Sequence, residues 1–259
     1  MKLALDLSLY NPAFARPFDP SQLFINGENG DFIDPNVLSS MTIERNGSGG
    51  PPAADVVVGR ITGLINGLVF TAPSDAERPI LRLSNGKYRL QFDGVNDYIE
   101  TPTTTGFTSI SNLGMVFWAG TSAYQFGRVA MNIRNADTTD RTLIAPFDLQ
   151  WNSMRVLYNG SNILTSSGQT LDDGLMHSFI YSQIAATSHE GYEDGVLKST
   201  SSTSKTTNPV LTAMSIGGPG IPSLSVFGGF IGGAIFINRT LMSNEIGQIH
   251  NWGIGKFGA

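Results

Sequence analysis

Apolar and polar residues alternate along much of this chain, and the alternation marks strands. In the first ten residues Leu3, Leu5, Leu7 and Leu9 fall on one side of an extended backbone, with Ala4, Asp6 and Ser8 on the other. "NPAFARPFDP" follows, and its prolines stop any sheet, so residues 1–22 are expected to form an N-terminal arm. Residues 23–80 are broken by "NGENGD", "NGSGGPPAAD" and "APSDAERP". Between the last two, "ADVVVGRITGLINGLVF" supplies one or two strands, with Asn66-Gly67 as a hairpin turn. This part is expected to pack as a strand-containing docking segment on a main domain over residues 81–259.

In that main domain the rhythm is regular. "GKYRLQF" puts Tyr88, Leu90 and Phe92 on one face and Lys87, Arg89 and Gln91 on the other. "GMVFWAG" is apolar on both faces, as a central strand must be. Further short apolar segments, from "RTLIAPFDLQW" to "GGAIFIN", are divided by Gly, Asn and Asp. The pattern predicts an all-β fold, two antiparallel sheets packed as a sandwich. Only "SNEIGQIHNW" reads as helix. Ser243 is placed to cap it, Glu245 suits its first turn, and Ile246 and Ile249 share a face. "GIGKFGA" is expected to end it.

Composition narrows the function classes. Apolar residues make up 41% of the 259, enough for a real core, while 14% charged residues and 30 glycines suit short strands and tight turns. A net charge of -5 leaves no basic footprint, so nucleic acid is not an expected partner. Without cysteine there is no disulfide, no thiolate metal site and no cysteine nucleophile. Asp6 interrupts the first apolar run, so the start is not read as a signal peptide. No apolar stretch approaches the ~20 residues of a membrane span, and a membrane is not an expected partner.

Candidate chemistry is sparse. His177, His189 and His250 are isolated, which gives no zinc ligand set. No Gly-x-Ser-x-Gly elbow occurs, and "GGPG" and "GGFIGG" lack the Lys-Ser/Thr of a phosphate loop. Glycoside hydrolysis needs two facing carboxyl groups. In "HEGYEDGV", Glu190 and Glu193 are three apart and point to opposite faces of a strand, while Asp194-Gly195 reads as a hairpin turn. An enzyme is therefore not expected. In "LQFDGVNDYIE", Asp93, Asn96 and Asp97 are expected to shape a turn through side-chain-to-backbone hydrogen bonds. Calcium is the lesser alternative there and the only cofactor candidate, because these oxygens are too few without carbonyls.

Three segments, in order, resemble laminin-G-like jelly rolls of the concanavalin A-like superfamily. They are "LQFDGVNDYIE", the hairpin "HSFIYSQIAATSHEGYEDGVL" and the closing "GGFIGGAIFINRTLMSNEIGQI". The resemblance implies a jelly-roll sandwich and carries no catalytic residues across. A second block, "LFINGENG" with Asp34-Pro35 and Arg78-Pro79 ahead of the FDGVND stretch, resembles a segment of tailed-phage and prophage virion proteins. It implies a virion structural protein (decoration, fibre or tail-associated), made in the host cytoplasm and displayed on the particle surface. Its expected partners are other virion proteins and further copies of itself. Leu3, Leu5, Leu7 and Leu9 are the candidate assembly contacts. The alternative is a carbohydrate-binding module for host surface glycan, with Trp151 beside Asn152 as the candidate contact and Trp118 assigned to the core. A glycan-cleaving enzyme is the third class.

Overall fold

The computed structural model describes residues 17–101, 112–121, 128–135, 141–148, 153–159, 161–166, 172–204, 213–218 and 226–258. Leu3, Leu5, Leu7, Leu9 and Trp151 lie outside them. The described chain forms two antiparallel sheets, one α-helix and three short 3-10 turns, the expected all-β sandwich.

The strands, in order, are β1 (Gly30–Ile33), β2 (Met41–Thr42), β3 (Arg60–Thr62), β4 (Val69–Thr71), β5 (Ile80–Ser84), β6 (Lys87–Asp93), β7 (Ile99–Glu100), β8 (Leu113–Gly120) and β9 (Met131–Arg134). They continue as β10 (Arg141–Asp148), β11 (Ser153–Tyr158), β12 (Ser161–Thr165), β13 (His177–Ala185), β14 (Ser188–Glu193), β15 (Val196–Ser201), β16 (Ala213–Ile216) and β17 (Gly228–Ile237). Helix α1 is Ser243–Phe257. One sheet has eight strands in the order β15-β14-β13-β8-β17-β6-β5, with β1 also paired to β17. The other has nine, in the order β12-β11-β10-β9-β16-β7-β4-β3-β2.

Strand β8 explains why "GMVFWAG" is apolar throughout. It runs between β13 and β17, and every residue is buried. Met115, Phe117 and Ala119 face the core between the sheets, where Phe117 stacks on Phe179 with ring centroids 5.0 Å apart. Val116 and Trp118 face the other way, into a second core under α1. Leu90 and Phe92 of β6 enter the inter-sheet core with Tyr88 packed against it, as their alternation requires. The opposite face is not open to water: Arg89 is buried, and its Nη2 donates to the carbonyl of Phe257 at 2.9 Å, at the negative end of α1. The turns follow the dipeptides. Asp194 and Gly195 take φ of 50° and 74° between β14 and β15, the left-handed pair that a two-residue hairpin needs.

Residues 23–80 enter both sheets: β1 joins the eight-stranded sheet, and β2, β3 and β4 join the nine-stranded one. Buried Asp31 of β1 ties them together. Its carboxylate accepts the N–H groups of Ile65 (2.8 Å) and Leu68 (2.7 Å) in the loop between β3 and β4. The "LFINGENG" block is locked to the closing segment some two hundred residues later. Asn29 N–H donates to Asn238 Oδ1 (2.8 Å), and Asn238 N–H donates back to the Asn29 carbonyl (3.0 Å). Arg239 donates to the Leu23 carbonyl (3.1 Å) and to both oxygens of Glu245 (2.8 and 2.7 Å), with Glu28 at 3.6 Å.

The helix differs from expectation at both ends. Met242 is its N-cap and Ser243 its first residue, with Glu245 accepting the Met242 N–H at 2.8 Å. It also runs on through "GIGKF" instead of stopping before it. Tertiary packing overrides the weak helix preference of glycine: Phe257 is fully buried against Trp118, and Gly253 sits directly on the Trp118 indole.

Candidate functional site

Helix α1 occupies the outer face of the eight-stranded sheet, and among the described elements no α-helix lies on the outer face of the nine-stranded sheet. Which side chains reach that face follows from the alternation. Met131, Ile133, Met214, Ile216, Ile99, Phe70, Ile61 and Met41 all point into the inter-sheet core. Their neighbours in each strand therefore point out. Register then lines these up: Asn132 pairs with Ser215, Ser215 with Glu100, Glu100 with Thr71, Thr71 with Arg60 and Arg60 with Thr42. A polar row thus crosses six adjacent strands, β9 to β2.

Asn132 and Ser215 are fully buried, and Ser215 Oγ donates to the Gly218 carbonyl at 2.6 Å. Beside them Arg134 Nη2 donates to Glu100 Oε2 at 2.7 Å, with both side chains still partly exposed. Arg134 Nε is buried and has no hydrogen-bond partner, which leaves one donor of the guanidinium fork uncommitted. Tyr98 precedes β7 by one residue, so it shares a face with Glu100. Its phenol is pushed up to about 12, chiefly by burial and then by the charges of Glu100 and Glu77, against which Arg134 works. A half-buried aromatic ring, a carboxylate and a guanidinium are thus assembled on one surface. Sequence reasoning missed this set, although "DYIE" carried the signal: Ile99 inward forces Tyr98 and Glu100 outward together.

The expected site residues are placed as follows. Asp93 Oδ1 accepts the N–H groups of Val95 (2.8 Å), Asn96 (3.1 Å) and Asp97 (3.2 Å), and Asp97 Oδ2 accepts the Asp93 N–H (3.0 Å). The stretch is a turn stitched by its own carboxylates. Among the described residues no group of three or more His, Asp or Glu side chains is disposed to hold a metal ion. Asp97 is pushed up to about 6 by burial first, then by Asp93, with Glu77 adding to the effect. Trp118 is in the core as expected, and Trp252 is partly buried and packs edge-on to Phe32 with ring centroids 5.3 Å apart. Glu190 accepts the Tyr192 hydroxyl, while Glu193 lies fully buried between the sheets. Glu193 Oε1 accepts the Met154 N–H at 2.7 Å, and burial raises its pKa. The two carboxylates point to opposite faces of β14.

His177 is clamped between Asp194 (2.8 Å) and Asp173 (3.1 Å), one at each ring nitrogen. His250 meets the buried Ser178 hydroxyl at 2.9 Å, and His189 meets Tyr181 at 2.9 Å. All three histidines are committed to structural contacts.

No family model and no curated protein matches the sequence. Solved structures match the fold. Domain 4 of AbnA, a GH43 extracellular arabinanase from Geobacillus stearothermophilus in complex with arabinotriose, aligns with a TM-score of 0.54 at 12% identity, over 86% of this chain and 98% of that one. A GH54 α-L-arabinofuranosidase aligns at 0.58 and 12% identity, over 80% of this chain and 53% of its own. Trypanosoma rangeli sialidase in complex with the inhibitor DANA aligns at 0.54 and 14% identity, over 84% of this chain and 36% of its own. At such identities the likeness is one of fold: this chain is a β-sandwich of the kind found in carbohydrate-active proteins. None of the three bears on the virion expectation.

Proposed function

We propose that the chain is a carbohydrate-binding module whose glycan contact is the partly exposed patch of Tyr98, Glu100 and Arg134 on the outer face of the nine-stranded sheet. The observation that carries this is the register-aligned polar row, with an aromatic ring, an acceptor and a donor brought together at its centre. Glu100 accepts from sugar hydroxyls, Arg134 donates to them, and the Tyr98 ring lies along an apolar sugar face. The AbnA domain matched over nearly its whole length, and in complex with arabinotriose, supports the same use of the sandwich. Trp151, between β10 and β11 in sequence, is a proposed second aromatic contact. Glu190 and Glu193 face apart, which removes them as a hydrolytic pair and supports binding as the role proposed.

A second reading places this module on a phage virion, the location that the Leu23–Gly30 block resembles. Affinity electrophoresis through arabinan, xylan and galactan gels tests the principal proposal. The wild-type chain should be retarded in at least one. Tyr98→Ala should weaken that retardation roughly tenfold, a loss of about 1.4 kcal/mol. Equal retardation of wild type and variant would remove Tyr98 from the site. Mass spectrometry of purified virions tests the second reading.

A further inference from the structure

Six Asn-Gly pairs stand in the chain, beginning at Asn26, Asn29, Asn46, Asn66, Asn85 and Asn159. In such a pair the glycine nitrogen can attack the asparagine side-chain amide, because glycine has no side chain to obstruct the approach. The fold ties most of them down. Gly27 N–H donates to the Phe24 carbonyl (3.2 Å) and Gly47 N–H to the Glu44 carbonyl (3.1 Å), which holds both attacking nitrogens in place. Gly30 is buried in β1, where a Cβ would lie 1.9 Å from the Phe236 carbonyl oxygen. Asn66 Nδ2 donates to the carbonyls of Gly30 (2.8 Å) and Glu28 (3.1 Å), which holds the group under attack. Gly160 lies outside the described residues. Asn85-Gly86 is different. Both residues are exposed in the turn between β5 and β6, and nothing lies within 4 Å of a would-be Cβ at Gly86. Neither the Asn85 side chain nor the Gly86 N–H makes a hydrogen bond among the described residues.

We infer that Asn85 is the site at which the folded chain modifies itself, by deamidation to aspartate and isoaspartate. The Gly86 nitrogen bonds to Asn85 Cγ, the Cγ–Nδ2 bond breaks, and Nδ2 leaves as ammonia with the proton from Gly86. Water then opens the resulting succinimide ring at either carbonyl. Opening at the side-chain carbonyl gives aspartate, and Asp-Gly suits the same turn. Opening at the backbone carbonyl gives isoaspartate, whose main chain runs through Cβ and Cγ and is one carbon longer. The turn has no place for that carbon. Asn85 and Gly86 take φ of 50° and 74°, the left-handed pair of a two-residue hairpin, and Ser84 pairs with Lys87 across it. A longer backbone breaks that pairing. Lys87 Nζ also donates to the Gly258 carbonyl, and Arg89 of the same strand to that of Phe257, so the change reaches the C-terminal end of α1.

The test holds the full folded chain in mildly alkaline buffer and follows each Asn-Gly peptide by mass spectrometry, with a parallel sample in guanidinium chloride. A tie must break before attack, so Asn85 is expected to deamidate roughly tenfold faster than Asn26, Asn29, Asn46 or Asn66 in the folded chain. In guanidinium the ties are gone, and the rates should converge. No modification of Asn85 in the folded chain, a rate there no faster than at the tied pairs, or the same order persisting in guanidinium overturns the inference. The aged chain carrying isoaspartate at position 85, separated chromatographically, should exchange its amides faster than the fresh chain over residues 80–84 and 255–258. Unchanged exchange in both segments would overturn the loss of the turn.

Discussion

Gly253→Ala is the substitution that most sharply examines how α1 closes the sandwich. A Cβ at this position would lie 1.8 Å from Trp118 Nε1, 1.9 Å from Cε2 and 2.5 Å from Cζ2, where ordinary contact begins at 3.4 Å. Either the helix or the indole must move by more than an ångström. The indole has no room to move, because it is fully buried against Phe257 and Trp252 at centroid distances of 5.2 and 5.6 Å. Moving the helix lifts Ile246, Ile249 and Phe257 off their seats. Overpacking of this kind costs about 1–3 kcal/mol, more when neither side yields, against a helix-propensity gain of about 1 kcal/mol for replacing glycine by alanine. A net loss of about 2 kcal/mol is expected, or a fall in Tm of roughly 4–8 °C for a chain of this size. Gly247 and Gly255 lie in the same helix with nothing within 4 Å of a would-be Cβ. There alanine should stabilise by about 0.5–1 kcal/mol. Thermal and guanidinium denaturation of the three single variants separates the two effects. If Gly253→Ala is as stable as Gly255→Ala, the seating of α1 on Trp118 is wrong.

Three further outcomes are expected. Arg239→Met should cost about 2–3 kcal/mol, less than a fully buried pair because the side chain keeps some exposure, and limited proteolysis should then cut near residues 23–30. His177 contacts a carboxylate at both ring nitrogens, which requires the doubly protonated ring. Burial opposes that charge, but the hydrogen bonds of Asp194 and Asp173 outweigh it and raise its pKa, while burial of the two aspartates is outweighed by His177 and backbone N–H groups, which lowers theirs. The histidine contribution is full below its unfolded value of about 6.5 and is lost as pH rises through the raised folded value; the aspartate contribution is present above about 3.9 and is lost as pH falls through the lowered ones. The clamp is thus strongest between about pH 4 and 6.5, and His177→Asn should lose most stability there and least at alkaline pH in Tm-versus-pH curves. Asp97, raised to about 6 by burial and Asp93, has the opposite sign for a carboxyl: ionising it costs stability as pH rises from about 4 through 6. Asp97→Asn, which keeps an acceptor for the Asp93 N–H, should therefore gain in Tm relative to wild type above about pH 7 and not at about pH 4.

What could be read from the sequence was whatever is local and repeated. Leu90 and Phe92, the all-apolar β8, the Asp-Gly hairpin and the stitched FDGVND turn each depend on residues within a few positions of one another. The site at Tyr98, Glu100 and Arg134 does not. Strand β7 is two residues long, too short to establish a period, and Arg134 meets Glu100 only through the register of β9, β16 and β7. Arg89 looked like a solvent-facing strand residue because its acceptor, the Phe257 carbonyl, lies 168 residues away. The last turn of α1 was hidden by its glycines, whose poor propensity is overruled by the indole beneath Gly253. The pairing of the "LFINGENG" block with Asn238 and Arg239 spans the whole chain and leaves no local trace.

Glycan held as proposed lies against Tyr98, Glu100 and Arg134 on the outer face of the nine-stranded sheet. Hydrogen–deuterium exchange, with and without saturating oligosaccharide from the polymer that gives retardation, locates the contact directly. Added protection is expected in peptides covering residues 97–101 and 131–135, with α1 and the β14–β15 hairpin unchanged. Protection confined to residues 188–201 or 243–257, with none at 97–101, would contradict it.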